Sequence, residues 1–99
     1  MDDQPAVSNN TAAHRFEIRV GEHVAFAEYR LQGERIIFPH TVVPEALAGQ
    51  GLGGRLAKAA LAYAAENRLK VVLKCSFFVS YLAKHPEYAH LLESAPGAA

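Results

Sequence analysis

The sequence predicts a mixed α+β domain: an antiparallel three-stranded meander, a crossover helix, a parallel fourth strand and a C-terminal helix. Three observations carry that expectation. Apolar residues alternate at period two before residue 43, they recur at helical spacing from Leu52 to Glu66, and a nearly unbroken apolar run follows over residues 70–74. A strand, a helix and a further strand in that order imply a parallel, right-handed crossover. Such a crossover sets the C-terminal ends of both strands beside the helix N-terminus, where ligands of α/β sheets gather.

Phe16-Glu17-Ile18-Arg19-Val20 alternates apolar and charged side chains, the pattern of a half-exposed strand. Gly21-Glu22-His23 turns the chain, and residues 24–30 form the second strand, with Val24 and Phe26 on one side. Gln32-Gly33-Glu34 is the next turn, and a third strand runs over residues 35–43, where Pro39 implies a bulge or an unpaired edge. Short turns between sequential strands make a meander. Leu52 to Glu66 is the clearest helix, with Leu52, Leu56, Ala59, Ala60 and Tyr63 on one face and Asn67 as its stop. Lys70-Val71-Val72-Leu73-Lys74 reads as a strand covered on both faces, and Ser76 can open a second helix over residues 77–84, ended before His85-Pro86. Tyr88 to Leu92 adds a final turn.

With 99 residues the chain holds one small domain. Residues 1–13 and 94–99 read as flexible tails, leaving 14–93 for a single core. Ten basic and ten acidic side chains cancel, so no global field draws in nucleic acid or an anionic membrane, and any anion recognition is local. No signal-peptide pattern opens the chain and no apolar run is long enough to cross a bilayer. The single cysteine, Cys75, excludes an internal disulfide and fits a reducing cytoplasm, where the protein is expected to reside. Nothing in the residue pattern calls for a metal, and oligomeric state is open.

The most informative segment is residues 40–55, in which four glycines, at 49, 51, 53 and 54, stand between a strand-like run and an alanine-rich helix. Glycines let backbone amides approach a ligand unobstructed, and a helix start offers unpaired N–H groups with partial positive charge. Together they make a site for phosphate or pyrophosphate. Gly49, Gly51 and Gly54 satisfy the dinucleotide spacing G-x-G-x-x-G, but residues 44–48 separate them from the strand and Lys74-Cys75 stand where an acidic residue should close the next strand. A nucleotide P-loop fails because no Lys-Ser or Lys-Thr follows. Arg55 and Lys58 oppose the helix dipole unless a polyanion binds, and their competing reading is solvated surface charge.

Val-Val-Pro, a short linker, then Gly-Gln-Gly-Leu-Gly-Gly-Arg-Leu opening a helix resembles the acetyl-CoA loop of GCN5-related N-acetyltransferases. Gly51 and Gly53 match the two fixed glycines of that family, and Ala48 stands where it commonly carries Arg or Gln. The resemblance covers about residues 16–90, with His40-Thr41, Val43-Pro44, Cys75 and His85-Pro86-Glu87-Tyr88 looking like a small stand-alone branch of the family. It implies an acetyltransferase that binds acetyl-CoA or coenzyme A and passes the acetyl group to an amine, on a small molecule or a protein. It further implies that Thr41, Val42, Val43, Gly49, Gln50, Gly51, Leu52, Gly53, Gly54 and Arg55 hold the cofactor, and that Tyr81 lies near the thioester sulfur. The alternative is a non-catalytic CoA- or acyl-CoA-binding module, and a phosphate-binding interaction domain is a third reading.

Acetyl transfer needs a positioned thioester, a stabilised oxyanion and a deprotonated amine. His40 is a candidate base because imidazole side chains serve as general bases and this one ends the strand at the crevice; a structural histidine bonding the loop is the competing reading. Glu28 interrupts an apolar alternation and can orient a base, or be simply solvated. Cys75, expected to close a central strand at the opening of the sheet, can accept the acyl group covalently or pack inertly beside the thioester. Tyr81 can protonate the departing thiolate or pack with its hydroxyl outward.

Overall fold

The computed structural model describes residues 6–92. Strand β1 (Ser8–Asn10) pairs antiparallel with β2 (Arg15–Val20), which pairs antiparallel with β3 (His23–Glu28). Strand β4 (Arg30–Gln32) turns at Gly33 into β5 (Arg35–Phe38), and β6 (Thr41–Val42) follows. Helix α1 (Leu52–Glu66) leads to β7 (Lys70–Leu73), and α2 (Ser76–Lys84) precedes a 3₁₀ turn over Pro86–Leu91. The strands form two sheets, β1-β2-β3-β6 and β4-β5-β7.

The expected meander is present, but its third strand is split. Residues 35–38 pair with β4 and, in parallel, with β7, whereas Thr41 and Val42 leave to pair with Ala27 and Phe26 of β3. Pro39 cannot donate to a ladder, and the chain changes partners there. The expected second strand breaks at the matching place, Tyr29, between β3 and β4. The sheet also begins earlier than residue 14, since Ser8–Asn10 is its edge strand; residues 1–5 and 93–99, including the expected C-terminal tail, lie outside the described residues.

Alternation decides what each strand buries. Ala25, Ala27 and Tyr29 are buried on one face of the sheet, while Val24, Phe26 and Glu28 occupy the other and are half-exposed. The small Ala25 and Ala27 receive α1, whose buried face is Leu52, Leu56, Ala57, Ala60, Leu61 and Ala64. Ala59 and Tyr63, expected on that face, lie at its half-buried margin. Phe38 and Phe78 stack at 4.4 Å between ring centroids and tie α2 to the second sheet.

Two expectations about strands are corrected. Strand β7 is an edge, with only Val71 fully buried and Val72 and Leu73 half-buried, so its apolar run does not mark a strand covered on both faces and Cys75 does not close a central strand. Glu17, expected on an exposed face, is 2% exposed. Arg15, Asn10 and Arg19 all donate hydrogen bonds to its carboxylate. Burial acts to raise its pKa, but these bonds and the two guanidinium charges outweigh that and hold it below the usual carboxylate range.

Helix α1 ends at Asn67, as expected, with Asn67 Nδ2 donating to the Tyr63 carbonyl at 2.9 Å. Leu69 N–H reaches the Ala64 carbonyl and Arg68 adopts φ 56°, a left-handed helix stop built without glycine.

Candidate functional site

Pairing between β5 and β7 stops at Phe38↔Leu73. Beyond it, β6 swings to β3 and becomes an edge of its sheet, while Lys74 and Cys75 run into the start of α2. A slot opens between the two chains. Thr41 and the half-buried Cys75 stand across it, with Sγ 3.8 Å from Oγ1. Strand β6 spends one backbone edge on β3, so the other edge of this segment faces the slot.

The glycine segment begins after a 3₁₀ turn, Glu45–Leu47, whose Leu47 is buried and anchors the approach. Gly51 is the N-cap of α1 in the left-handed region, φ 72°, and Gly49 has φ 82°. Among the described residues no side chain caps this helix, and its own first turn carries no acid. The first-turn amides, on Leu52, Gly53 and Gly54, therefore point out of the helix start with their positive ends toward an incoming anion. Leu52 itself is buried and pins the helix start to the core, while Gln50 is exposed.

Four neighbouring glycines divide into two pairs with different work. Gly49 and Gly51 face open space and are needed for positive φ. Gly53 and Gly54 are ordinary helical positions where α2 crosses: a Cβ at 53 would sit 2.8 Å from Phe77 Cζ, and one at 54 would sit 3.8 Å from Tyr81 Cε1. Between the two helices lies a cleft of about 310 Å³, lined by Gly54, Phe77, Ser80, Tyr81, Lys84 and His85. Tyr81 stacks on His85 at 4.0 Å. Burial, then the neighbouring Tyr88 and Glu87, push the Tyr81 phenol up, so it keeps its proton through neutral pH.

His40 lies at the same end of the sheet on the opposite face. Its Nε2 is 3.1 Å from Glu28 Oε1, and its ring meets Phe26 edge-on at 6.4 Å. Thr41 is opposite Ala27, on the face that α1 covers, whereas Phe26 and Glu28 face away from the helix. His40 and Cys75 are thus separated by the strand rather than side by side. Arg55 and Lys58 share a third location, a hollow of about 380 Å³ on the flank of α1 with Val7, Ala59 and Ala62. Among the described residues no group of three or more His, Cys, Asp or Glu side chains could hold a metal, and no helix is long and apolar enough to cross a membrane.

Residues 15–91 match the family model described as GCN5-related N-acetyl-transferase. The chain belongs to the GCN5-related N-acetyltransferase family. A solution structure of a GCN5-like protein from Staphylococcus aureus superposes with a TM-score of 0.74 and 30% identity, covering 96% of this chain and 94% of that one. Protein NATD1 of Mus musculus is 36% identical over 83 residues, 81% of this chain and 76% of its own length. Protein NATD1 of Gallus gallus is 41% identical over 59 residues, 59% of this chain and 54% of its own. The expected fold class and enzyme class, an N-acetyltransferase, both stand.

Within this acetyltransferase domain, Phe77, Ser80 and Lys84 are cleft residues that sequence reasoning passed over. A signal for them existed. Phe77, Tyr81 and His85 recur at four-residue intervals, as do Ser80 and Lys84, which puts them on adjoining stripes of one helical turn sequence.

Proposed function

We propose that this domain transfers an acetyl group from acetyl-CoA to an amine, with the cofactor approaching from the helix side of the slot and the amine from the face that carries His40 and Glu28. The observation that carries the reading is the start of α1, uncapped among the described residues and with Gly51 left-handed, next to a slot edged by a strand at the end of its sheet. These groups fit the cofactor. A diphosphate suits first-turn amides that no described side chain has taken, and a slender pantetheine arm, itself rich in amides, suits the edge of residues 41–43. When bound, the cofactor supplies an activated acetyl thioester.

The chain's own residues supply the rest. Glu28 accepts the Nε2–H of neutral His40, which leaves Nδ1 as the acceptor for the amine's proton. The protonated Tyr81 hydroxyl is suited to give a proton to the leaving sulfur. Cys75, half-buried beside Thr41, borders the thioester path and needs no covalent role. The expected cytoplasmic location belongs to this reading, since a lone free thiol at the site favours a reducing compartment.

Titration calorimetry with coenzyme A, followed by amine-dependent release of free CoA thiol, tests it in two steps. No affinity for CoA sinks the whole reading. Affinity without amine-dependent release leaves the non-catalytic acyl-CoA-binding module.

A further inference from the structure

The two halves of the sheet part at Tyr29. Its backbone N–H bonds the His14 carbonyl at 2.9 Å, while Arg30 onward pairs with β5 instead of β6. Where strands diverge, side chains at the crease lose their cross-strand neighbours. A hollow of about 330 Å³ opens there, lined by Ala13, His14, Glu28, Tyr29, Arg30 and Leu31. The Tyr29 hydroxyl is turned away to Asn9 Oδ1 at 2.8 Å, so its ring contributes wall rather than polarity. The polar residues that line the hollow include one acid, Glu28, and one base, Arg30, with His14 beside them.

Glu28 connects this hollow to the reaction. Its Oε1 is taken by His40, which leaves Oε2 for a ligand. Arg30 is exposed and forms no ion pair among the described residues. The geometry points to this hollow as the acceptor subsite, and to a small amine carrying its own carboxylate, an amino-acid-like compound, as the acceptor. The ammonium meets Glu28 next to His40 and the carboxylate meets Arg30. A diamine would set its second cation against Arg30 and His14, and the volume suits a small molecule. The inference rests on the proposed acetyl transfer. In that step the ammonium gives one proton to the Glu28–His40 pair, an N–C bond forms to the acetyl carbon, its C–S bond breaks as the thiolate takes the Tyr81 proton, and the nitrogen's second proton leaves to solvent, from which Tyr81 recovers its own.

A binding experiment tests the subsite without turnover. The ¹⁵N-labelled protein is titrated with leucine and phenylalanine, and separately with the amines that lack only the carboxylate, isopentylamine and phenethylamine. Amide shifts should concentrate at residues 13–14 and 28–31, and each amino acid should bind about threefold to fivefold tighter than its amine. Arg30→Ala, at an exposed position, should erase that preference, and Arg30→Lys should keep most of it. Shifts that fall elsewhere, absent binding by all four probes, or equal affinity for acid and amine in the wild type would overturn the proposal. Calorimetry with coenzyme A on the same samples reports separately on the cofactor, so a failure of either reading is recognised as its own.

Discussion

The Phe77 ring lies over Gly53 so closely that a Cβ there would come within 2.8 Å of Cζ. Gly53 is therefore a packing clearance for α2, whereas Gly51, with φ 72° and open space around it, is a conformational requirement. The two glycines should respond differently to substitution. Gly53→Ala should push the Phe77 ring aside at modest cost, because Phe77 is a partly exposed side chain free to swing. Adding Phe77→Ala should relieve that cost. Gly51→Val should lose roughly 1–2 kcal/mol of stability to left-handed strain and most CoA affinity, with no rescue from Phe77→Ala. Urea unfolding and calorimetry on the single and double variants check both halves; equal behaviour at the two positions would contradict the division.

His40→Ala should lower kcat/KM for acetyl transfer by about 10²- to 10⁴-fold while leaving CoA affinity near wild type. Glu28→Gln should fall between the two, because an amide still accepts from His40 Nε2 but carries no charge. Steady-state kinetics with calorimetry on the same preparations is the measurement. Unchanged turnover in folded His40→Ala would remove His40 from the chemistry.

Cys75→Ala should stay folded and retain substantial turnover, with Cys75→Ser similar, since the thiol only borders the slot beside Thr41. Incubation with acetyl-CoA and no amine should leave no hydroxylamine-sensitive mass adduct on the wild type. An adduct together with complete loss of turnover in Cys75→Ala would instead assign a covalent acetyl carrier.

Glu17 should shape the acid limb of stability. Its folded pKa lies below the ordinary 4.5, so the stability it contributes is present above that value and is lost as pH falls through the lowered one. Urea midpoints measured from neutral pH to pH 3 should show wild type losing stability below about 4.5 more steeply than Glu17→Gln. Parallel curves would mean that the Arg15–Glu17–Arg19 cluster is not linked to folding.

Arg68 holds φ 56° at the end of α1, a conformation that glycine reaches without strain. Arg68→Gly should therefore raise stability by up to about 1 kcal/mol, read from the urea midpoint. A loss of stability would show that the arginine side chain makes compensating contacts.

The sequence by itself determined the succession of antiparallel meander, helix, parallel strand and second helix, the bounds of α1 at Leu52 and Glu66, the glycine-bearing helix start and the helix that follows Cys75. Those features are local. Period, turn chemistry and backbone freedom are set by residues a few positions apart, and they leave a readable pattern. Only the tertiary structure decided which strand lies across from which. The change of partner at Pro39 put His40 with Glu28 on one face and Thr41 with Cys75 on the other, a division of faces that a shared end of the sheet does not encode. The same kind of event buried Glu17, which alternation alone had assigned to solvent, because Arg15, Arg19 and the added strand at Asn10 closed around it. Burial and pairing depend on neighbours distant in sequence, and no local pattern encodes what arrives on the far side of a strand.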